Sequence, residues 1–174
     1  MVEPGRLPTR VGVVVAEFNS AITTKLADGA IEALREAGVP EIVVARVSGA
    51  LELGIGARGM LAAGCEAVVA VGAVIKGETD HYEYVAGEAS AALSRVAIDA
   101  GLPVGNALLT VRDYDHAVDR SLPGPSNKGR EAAEAARSAQ RKIRAVFCVM
   151  ARPCPRPTPR RSMSFPVCRD PAPP

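Results

Sequence analysis

Aromatic residues are few in this sequence. Its 174 residues include three phenylalanines, three tyrosines and no tryptophan, which together make up 3% of the chain. Proteins that hold single-stranded nucleic acid commonly stack the bases on aromatic side chains. The formal net charge is only +2, so there is no large excess of positive charge to attract a polyanion. The composition therefore predicts no nucleic-acid partner.

Cysteine is also scarce. The four cysteines, at positions 65, 148, 154 and 168, form neither a CxxC pair nor a cluster with histidine. Structural zinc sites and disulfide frameworks need such spacings. We therefore expect buried or free thiols and no bound metal.

Long hydrophobic runs are missing. No stretch approaches the roughly 18 to 20 apolar residues of a membrane-spanning helix. The first ten residues, MVEPGRLPTR, lack the apolar core of a secretory signal. We therefore expect a cytoplasmic protein with no membrane partner.

Composition divides the chain into three parts. A polar head, residues 1–10, is expected to be disordered, and a regular body, residues 11–150, is long enough for one domain. The tail, residues 151–174, holds eight of the fourteen prolines and five arginines. Since proline removes a backbone donor and fixes φ, we expect this tail to be disordered. Its composition also fits an anion-binding or peptide-ligand segment.

The body alternates between strand and helix patterns. Strands are predicted at 11–16, 41–47, 67–75 and 104–110, and helices at 20–37, 52–63, 80–100, 113–120 and 127–147. The run AVVAVGAVI at 67–75 is apolar on both faces, which is typical of a central parallel strand covered by helices. The pattern predicts a flavodoxin-like α/β fold, a three-layer sandwich with a four-stranded parallel sheet flanked by helices.

Ligands of such sheets bind at the carboxyl ends of the strands. After the first predicted strand comes Glu17-Phe18-Asn19, where a phenylalanine lies in a polar loop. An exposed ring is costly unless something stacks on it. Phe18 is therefore a candidate ligand contact, and the alternative is that it caps the core.

The loop after the second strand is Ser48-Gly49-Ala50-Leu51-Glu52. Its small residues allow a ligand to approach the backbone. Glu52 offers a carboxylate at the mouth of the expected site. The alternative is that Glu52 only interacts with the dipole of the helix that follows.

The loop after the third strand, residues 76–81, is the richest in candidate chemistry. Gly77 permits a tight turn, and the N–H groups at the following helix start can hold a phosphate. His81 lies in the first turn, and an imidazole titrates near neutral pH and can both accept and donate protons. The alternative is a solvated surface histidine, which is how we interpret the other histidine, His116.

Two cationic residues, Arg120 and Lys128, flank a connection that contains glycine and proline. Arginine offers a bidentate fork for phosphate, and lysine offers a point charge. They are candidates for binding an anionic substrate, and the alternative is that both are solvated surface charges.

Together these loops resemble the lumazine synthase family. The blocks that carry the resemblance are AEFNSAIT at 16–23, SGALEL at 48–53, GAVIKGETDHYEYVAGEAS at 72–90, PVGNALLT at 103–110 and NKGREAAEAA at 127–136. They cover about residues 11 to 139. One such block alone would mean little, but five in order at successive strand ends are specific.

The resemblance implies a reaction and a set of roles. The family condenses a ribitylamino-pyrimidine with a four-carbon ketose phosphate and needs neither a metal nor an organic cofactor. His81 would transfer protons, and the N–H groups at Glu78 and Thr79 would bind the phosphate together with Arg120. Residues expected to contact the pyrimidine and its ribityl chain are Phe18, Asn19, Ala50, Leu51, Glu52, Ala73, Val74, Ile75, Asn106 and Lys128.

The resemblance also implies self-association. Asn106 and Lys128 fall at positions that reach the site from a neighbouring subunit, which predicts a homopentamer and possibly a sixty-subunit shell. Three features depart from the family pattern: Leu51 replaces a frequent aromatic residue, Ala107 replaces a frequent glycine, and the loop 121–126 has the unusual sequence SLPGPS.

Two rival functions are a flavin- or lumazine-binding module and a structural shell protein. Neither would need a proton-transfer group such as His81 beside a phosphate seat. An enzyme is therefore the favoured interpretation.

Overall fold

A computed structural model describes residues 8–150, with side chains up to residue 146. Four strands and five helices alternate along these residues: β1 (Arg10–Ala16), α1 (Ser20–Glu36), β2 (Glu41–Val47), α2 (Leu53–Ala62), β3 (Ala67–Ile75), α3 (His81–Ala100), β4 (Val104–Val111), α4 (Tyr114–Ser121) and α5 (Lys128–Met150). A short 3₁₀ turn, Ala50–Glu52, precedes α2. The predicted order is therefore confirmed, with bounds shifted by a few residues at most.

All four strands run parallel, in the spatial order β2-β1-β3-β4. Val11 of β1 pairs with Ile42 on one side and with Ala67 on the other, so β1 is an interior strand. Strand β3 is buried along nearly its whole length, because β1 and β4 flank it in the sheet and helices cover both of its faces. This confirms the prediction made from its apolar run.

Helices cover both faces of the sheet. On one face, α1, α4 and α5 pack against a cluster that includes Val13, Val69 and Leu109. On the other face, α2 and α3 pack against a second cluster that includes Val14, Val68 and Leu108. Neighbouring residues in each strand thus point into different clusters, as the two-residue repeat of a strand requires. The three-layer α/β sandwich is confirmed.

The loop after β1 is held in place by its main chain. The N–H groups of Glu17 and Phe18 donate to the carbonyls of Val47 and Ser48, which continues the contact between β1 and β2. Asn19 then adopts a left-handed conformation with φ 60°, which asparagine tolerates better than most residues. Its side-chain amide donates to the carbonyl of Ala73 at 2.9 Å. These contacts turn the chain into α1 and leave the side chain of Phe18 at the edge of the sheet.

The amino-terminal edge of the sheet is closed by polar contacts. Thr9 N–H donates to a carboxylate oxygen of Glu66 at 2.6 Å, and Arg144 of α5 pairs with the same carboxylate. Residues 8–10 are therefore part of the folded domain, ahead of the boundary expected at residue 11. Residues 1–7 of the predicted head, and the predicted tail at 151–174, lie outside the described residues.

Candidate functional site

A cleft of about 490 Å³ opens at the carboxyl ends of β1 and β3. We call it the strand-end cleft. It is lined by the loops after β1, β2 and β3 and by the first turns of α3. The predicted site residues that line it are Phe18, Ala50, Leu51, Glu52, Ala73, Val74, Ile75, Thr79 and His81.

Phe18 presents its ring to the open side of this cleft. The residue is 71% exposed, although aromatic side chains usually bury most of their surface. Phe18 therefore does not cap the core, which was the alternative considered from the sequence. Its ring is a free apolar face on which a planar ligand can stack.

The Glu52 side chain is hydrogen-bonded to the loop at whose end it lies. Its Oε2 accepts a hydrogen bond from the N–H of Gly49 at 2.9 Å, so the carboxylate folds back over the 3₁₀ turn. The side chain thus caps the 3₁₀ turn and also lines the cleft. Ala50 is buried and also lines the cleft.

His81 is the first residue of α3, and its side chain is exposed to the cleft. Asp80 precedes the helix but forms no side-chain hydrogen bond that caps it. The N–H of Glu83 donates to the Asp80 carbonyl at 3.0 Å, which leaves the N–H groups of His81 and Tyr82 to face an anion at the positive end of the helix dipole. An anion and a proton-transfer group can meet at this point.

Two residues of α3 were missed from the sequence. Tyr82 and Val85 line the cleft beside His81. Val85 lies four residues after His81 and hence on the same helix face, so helical spacing could have identified it. Lys76 lies 5.7 Å from the centre of the Tyr82 ring and pairs with Glu83 at 3.2 Å, which connects this turn to the end of β3.

A second pocket, of about 400 Å³, lies between the edge strand β4 and helix α5. We call it the β4–α5 pocket. Three further predicted site residues line it: Asn106, Arg120 and Lys128. It shares no lining residue with the strand-end cleft. The structure therefore separates the predicted site residues of one chain into two groups.

Polar groups in the β4–α5 pocket are paired within the chain. Lys128 Nζ donates to both carboxylate oxygens of Glu131 at 2.7 Å. Arg120 Nη1 donates to the carbonyl of His116 at 2.9 Å, and Asn106 Oδ1 accepts from the N–H of Leu108 at 2.9 Å. Glu131 was not identified from the sequence, although it lies one helical turn after Lys128.

Two predicted residues line neither pocket. Asn19 uses its side chain to hold the loop after β1, as described above, and Glu78 lies in the loop before α3 without facing the cleft. Asn19 and Glu78 would therefore contact a substrate only through their main-chain groups, or support the site without contacting the substrate.

Metal-binding clusters and membrane-spanning helices are absent from the described residues. Between residues 8 and 150 there is no group of three or more His, Cys, Asp or Glu side chains arranged to hold a metal ion. Over the same part of the chain, no helix is both long enough and apolar enough to cross a membrane. Cys65 is a buried free thiol, and burial raises its pKa.

Comparison with known proteins gives one consistent result. The model of the 6,7-dimethyl-8-ribityllumazine synthase family matches residues 8–144. A 6,7-dimethyl-8-ribityllumazine synthase of Levilactobacillus brevis is 44% identical over 131 residues, which cover 74% of this chain and 83% of the relative. The protein of the same name from Bdellovibrio bacteriovorus is 41% identical over 125 residues, which cover 72% of this chain and 70% of the relative. That of Mycobacterium sp. strain KMS is 44% identical, with coverage of 74% and 81%.

Proposed function

The chain belongs to the 6,7-dimethyl-8-ribityllumazine synthase family, and we propose that it works where the strand-end cleft of one copy meets the β4–α5 pocket of the next. It is a transferase of riboflavin biosynthesis. It condenses 5-amino-6-(D-ribitylamino)uracil with 3,4-dihydroxy-2-butanone 4-phosphate and releases phosphate and water. One observation carries the proposed location of the site: stacking and proton-transfer groups lie in one pocket of the chain, and cationic groups lie in the other.

The pyrimidine substrate is assigned to the strand-end cleft. Its planar ring stacks on the exposed face of Phe18, and the main chain at 73–75 borders the ring edge. The ribityl chain carries hydroxyls that donate to Glu52 and reach the main chain at Ala50. The support for this assignment is that Phe18 is exposed and that Glu52 lines the same cleft.

Proton transfer is assigned to His81. Imine formation, phosphate loss and ring closure each move a proton, and an imidazole in the cleft wall can accept and donate it. His81 lies on the first turn of α3, so it is close to a seat for the ketose phosphate. The main-chain N–H groups at Glu78 and Thr79 contribute to that seat.

Arg120 and Lys128 are proposed to enter the shared site from the neighbouring subunit. Arg120 supplies a fork of donors for the phosphate, and Lys128 and Asn106 face the same shared space. Because these three residues lie in a pocket separate from the cleft, a site that uses both groups calls for two copies.

Self-association as a homopentamer is part of the proposal. A groove of about 640 Å³ runs between α2 and α3. Ile55, which lines the groove, is 78% exposed, and Ile98 of α3 is 79% exposed. Exposed apolar surface of this kind is usually covered by a partner. A ring of copies would join each cleft to a neighbouring pocket. Growth into a sixty-subunit shell and a cytoplasmic location also belong to this proposal.

The direct test is to incubate the purified chain with both substrates and follow the fluorescence of the lumazine product. We expect product formation without added metal. Binding of the pyrimidine without product would instead favour a binding module that has lost catalysis. Assembly with neither binding nor product would favour a shell protein.

A further inference from the structure

Asn127 lies at the junction of three helices and takes no place in the roles assigned so far. It is 1% exposed, although asparagine is mostly a surface residue. Resting on the proposed function, we propose that Asn127 is a positioning residue that sets the position of Arg120 relative to the start of α5, and thereby the contact of Arg120 with the phosphate-bearing substrate.

The Asn127 carboxamide is bonded on both sides. Its Nδ2 donates to the carbonyls of Ser121 at 2.9 Å, of Leu122 at 3.2 Å and of Lys25 at 3.2 Å. Its Oδ1 accepts from the N–H groups of Gly129 at 2.9 Å and Arg130 at 3.2 Å. One side chain thus joins the end of α4, the start of α5 and the middle of α1.

These contacts are adjacent in sequence to the two cationic residues. Arg120 directly precedes Ser121, and Lys128 directly follows Asn127. The intervening loop 121–126 contains two prolines and Gly124, whose φ is 121°. The loop itself is exposed in most of its length. The Asn127 carboxamide therefore connects the end of α4, next to Arg120, directly to the start of α5, next to Lys128.

The packing around Asn127 leaves it little freedom. A methyl group added at Gly29 would collide with the Asn127 carboxamide, and one added at Gly129 would collide with the carbonyl of Leu26. The close approach of α1 and α5 thus fixes the rotation of the carboxamide. Because α1 is attached to the sheet through core contacts, the start of α5 and the end of α4 are fixed relative to β4 as well.

A change at Asn127 should therefore affect one substrate more than the other. If the carbonyls of Ser121 and Leu122 are released, the end of α4 moves relative to α5, and Arg120 moves relative to Lys128. The phosphate that Arg120 binds would lose its aligned contact with the guanidinium. The pyrimidine is assigned mainly to the strand-end cleft and would lose little.

Two variants distinguish the contacts of the carboxamide nitrogen from those of the carboxamide oxygen. Asn127→Ser keeps a good helix-capping group but is too short to reach α4. Asn127→Asp keeps the acceptor for Gly129 and Arg130 and places an oxygen against three carbonyl oxygens. For both variants we expect the KM of the ketose phosphate and the Kd of inorganic phosphate, measured by calorimetry, to rise at least about tenfold, which corresponds to one charge-assisted hydrogen bond. The KM of the pyrimidine should change by less than about twofold.

Arg130→Gln is the matched control. Arg130 pairs with Glu32 at 2.9 Å and with Glu36 at 2.6 Å, so it ties α5 to α1 without reaching α4. We expect this variant to keep the wild-type ratio of the two KM values even where it lowers stability. The comparison isolates the contact with α4 from a general weakening of the α1–α5 contact.

Several results would overturn the inference. These are equal losses for both substrates, a phosphate Kd that does not change, an altered KM ratio in the control, or loss of the fold in both Asn127 variants. Failure of the proposed function is a different result, because wild-type protein would then form no lumazine. The Kd of inorganic phosphate reports on Asn127 in either case.

Discussion

The strand-end cleft and the β4–α5 pocket are built on different principles. In the cleft, main-chain contacts position the loops, and Phe18 and His81 expose their side chains to the space between them. In the pocket, Lys128, Arg120 and Asn106 each make a hydrogen bond within the chain. A ligand entering the cleft therefore meets exposed groups, whereas a ligand entering the pocket must share or replace existing partners.

Replacing a partner of Lys128 in the pocket costs little free energy. The Lys128 and Glu131 side chains are 41% and 47% exposed, and exposed ion pairs typically contribute about 0 to 1 kcal/mol. A phosphate or hydroxyl can therefore take over part of the Lys128 ammonium with little penalty.

His81→Ala tests the cleft half, and we expect the largest effect from it. Loss of a positioned acid–base group should slow turnover by roughly 10² to 10⁴ while the fold and pyrimidine binding are retained. The measurement is kcat by lumazine fluorescence, with binding followed separately. His116→Ala is the matched control, since that histidine lies on the exposed side of α4, 3.6 Å from Asp113. Equal turnover in wild type and His81→Ala would remove His81 from the mechanism.

Mixing two inactive variants tests whether the halves come from different copies. After dissociation and reassociation of His81→Ala with Arg120→Ala in equal amounts, roughly a quarter of the sites should combine a wild-type cleft with a wild-type pocket. We expect a corresponding recovery of activity. Subunit exchange is checked by mass spectrometry. Exchange without recovery would mean that one chain supplies both residues to the same site.

Arg120→Ala tests the pocket half by itself. Removing a charge-assisted fork should raise the KM of the ketose phosphate by about 10-fold to 100-fold and leave pyrimidine binding nearly unchanged. Arg120→Lys should recover a part of this loss, because a point charge replaces a bidentate donor. Similar losses for both substrates would instead assign Arg120 to the structure of α4.

The smallest expected effect concerns the ion pair of Arg130 with Glu36, which joins α5 to α1. The Arg130 guanidinium lowers the pKa of the Glu36 carboxyl below its ordinary value. A carboxyl with a lowered folded-state pKa stabilises the protein above its unfolded-state pKa, and this contribution is lost as the pH falls through the folded-state pKa. Arg130→Gln should therefore lower the Tm modestly at neutral pH, and the difference should vanish in acid. A difference that persists in strong acid would point to packing instead of charge.

Much of the cleft could be predicted because its residues follow strands. The apolar run at 67–75 indicated a buried parallel strand, and loops after such strands meet at one edge of the sheet. Phe18, Glu52 and His81 could therefore be expected to lie together before any contact was known. Val85 was missed, although helical spacing from His81 would have identified it.

The pocket was harder to predict because its polar contacts depend on helix rotation. Nothing local to the sequence shows that Asn127 is buried against the carbonyls of other helices, because its burial depends on how closely α5 approaches α1. The pairing of Lys128 with Glu131 is different, since residues three apart on one helix lie side by side. The left-handed turn at Asn19 was also unforeseen, since many asparagines outside glycine-rich turns have ordinary φ values.

Gly29 of α1 and Gly129 of α5 lie where these two helices are closely packed, and this affects how a map of tolerated substitutions should be interpreted. At Gly29 and Gly129 even alanine, the smallest possible addition, collides with a neighbour. A library selected for growth without riboflavin should therefore return glycine at both positions as strictly as it returns histidine at position 81. Such a map would mark as essential two residues that do not contact a substrate. Intolerance to substitution alone would therefore not distinguish a catalytic residue from a position that has no space for a side chain.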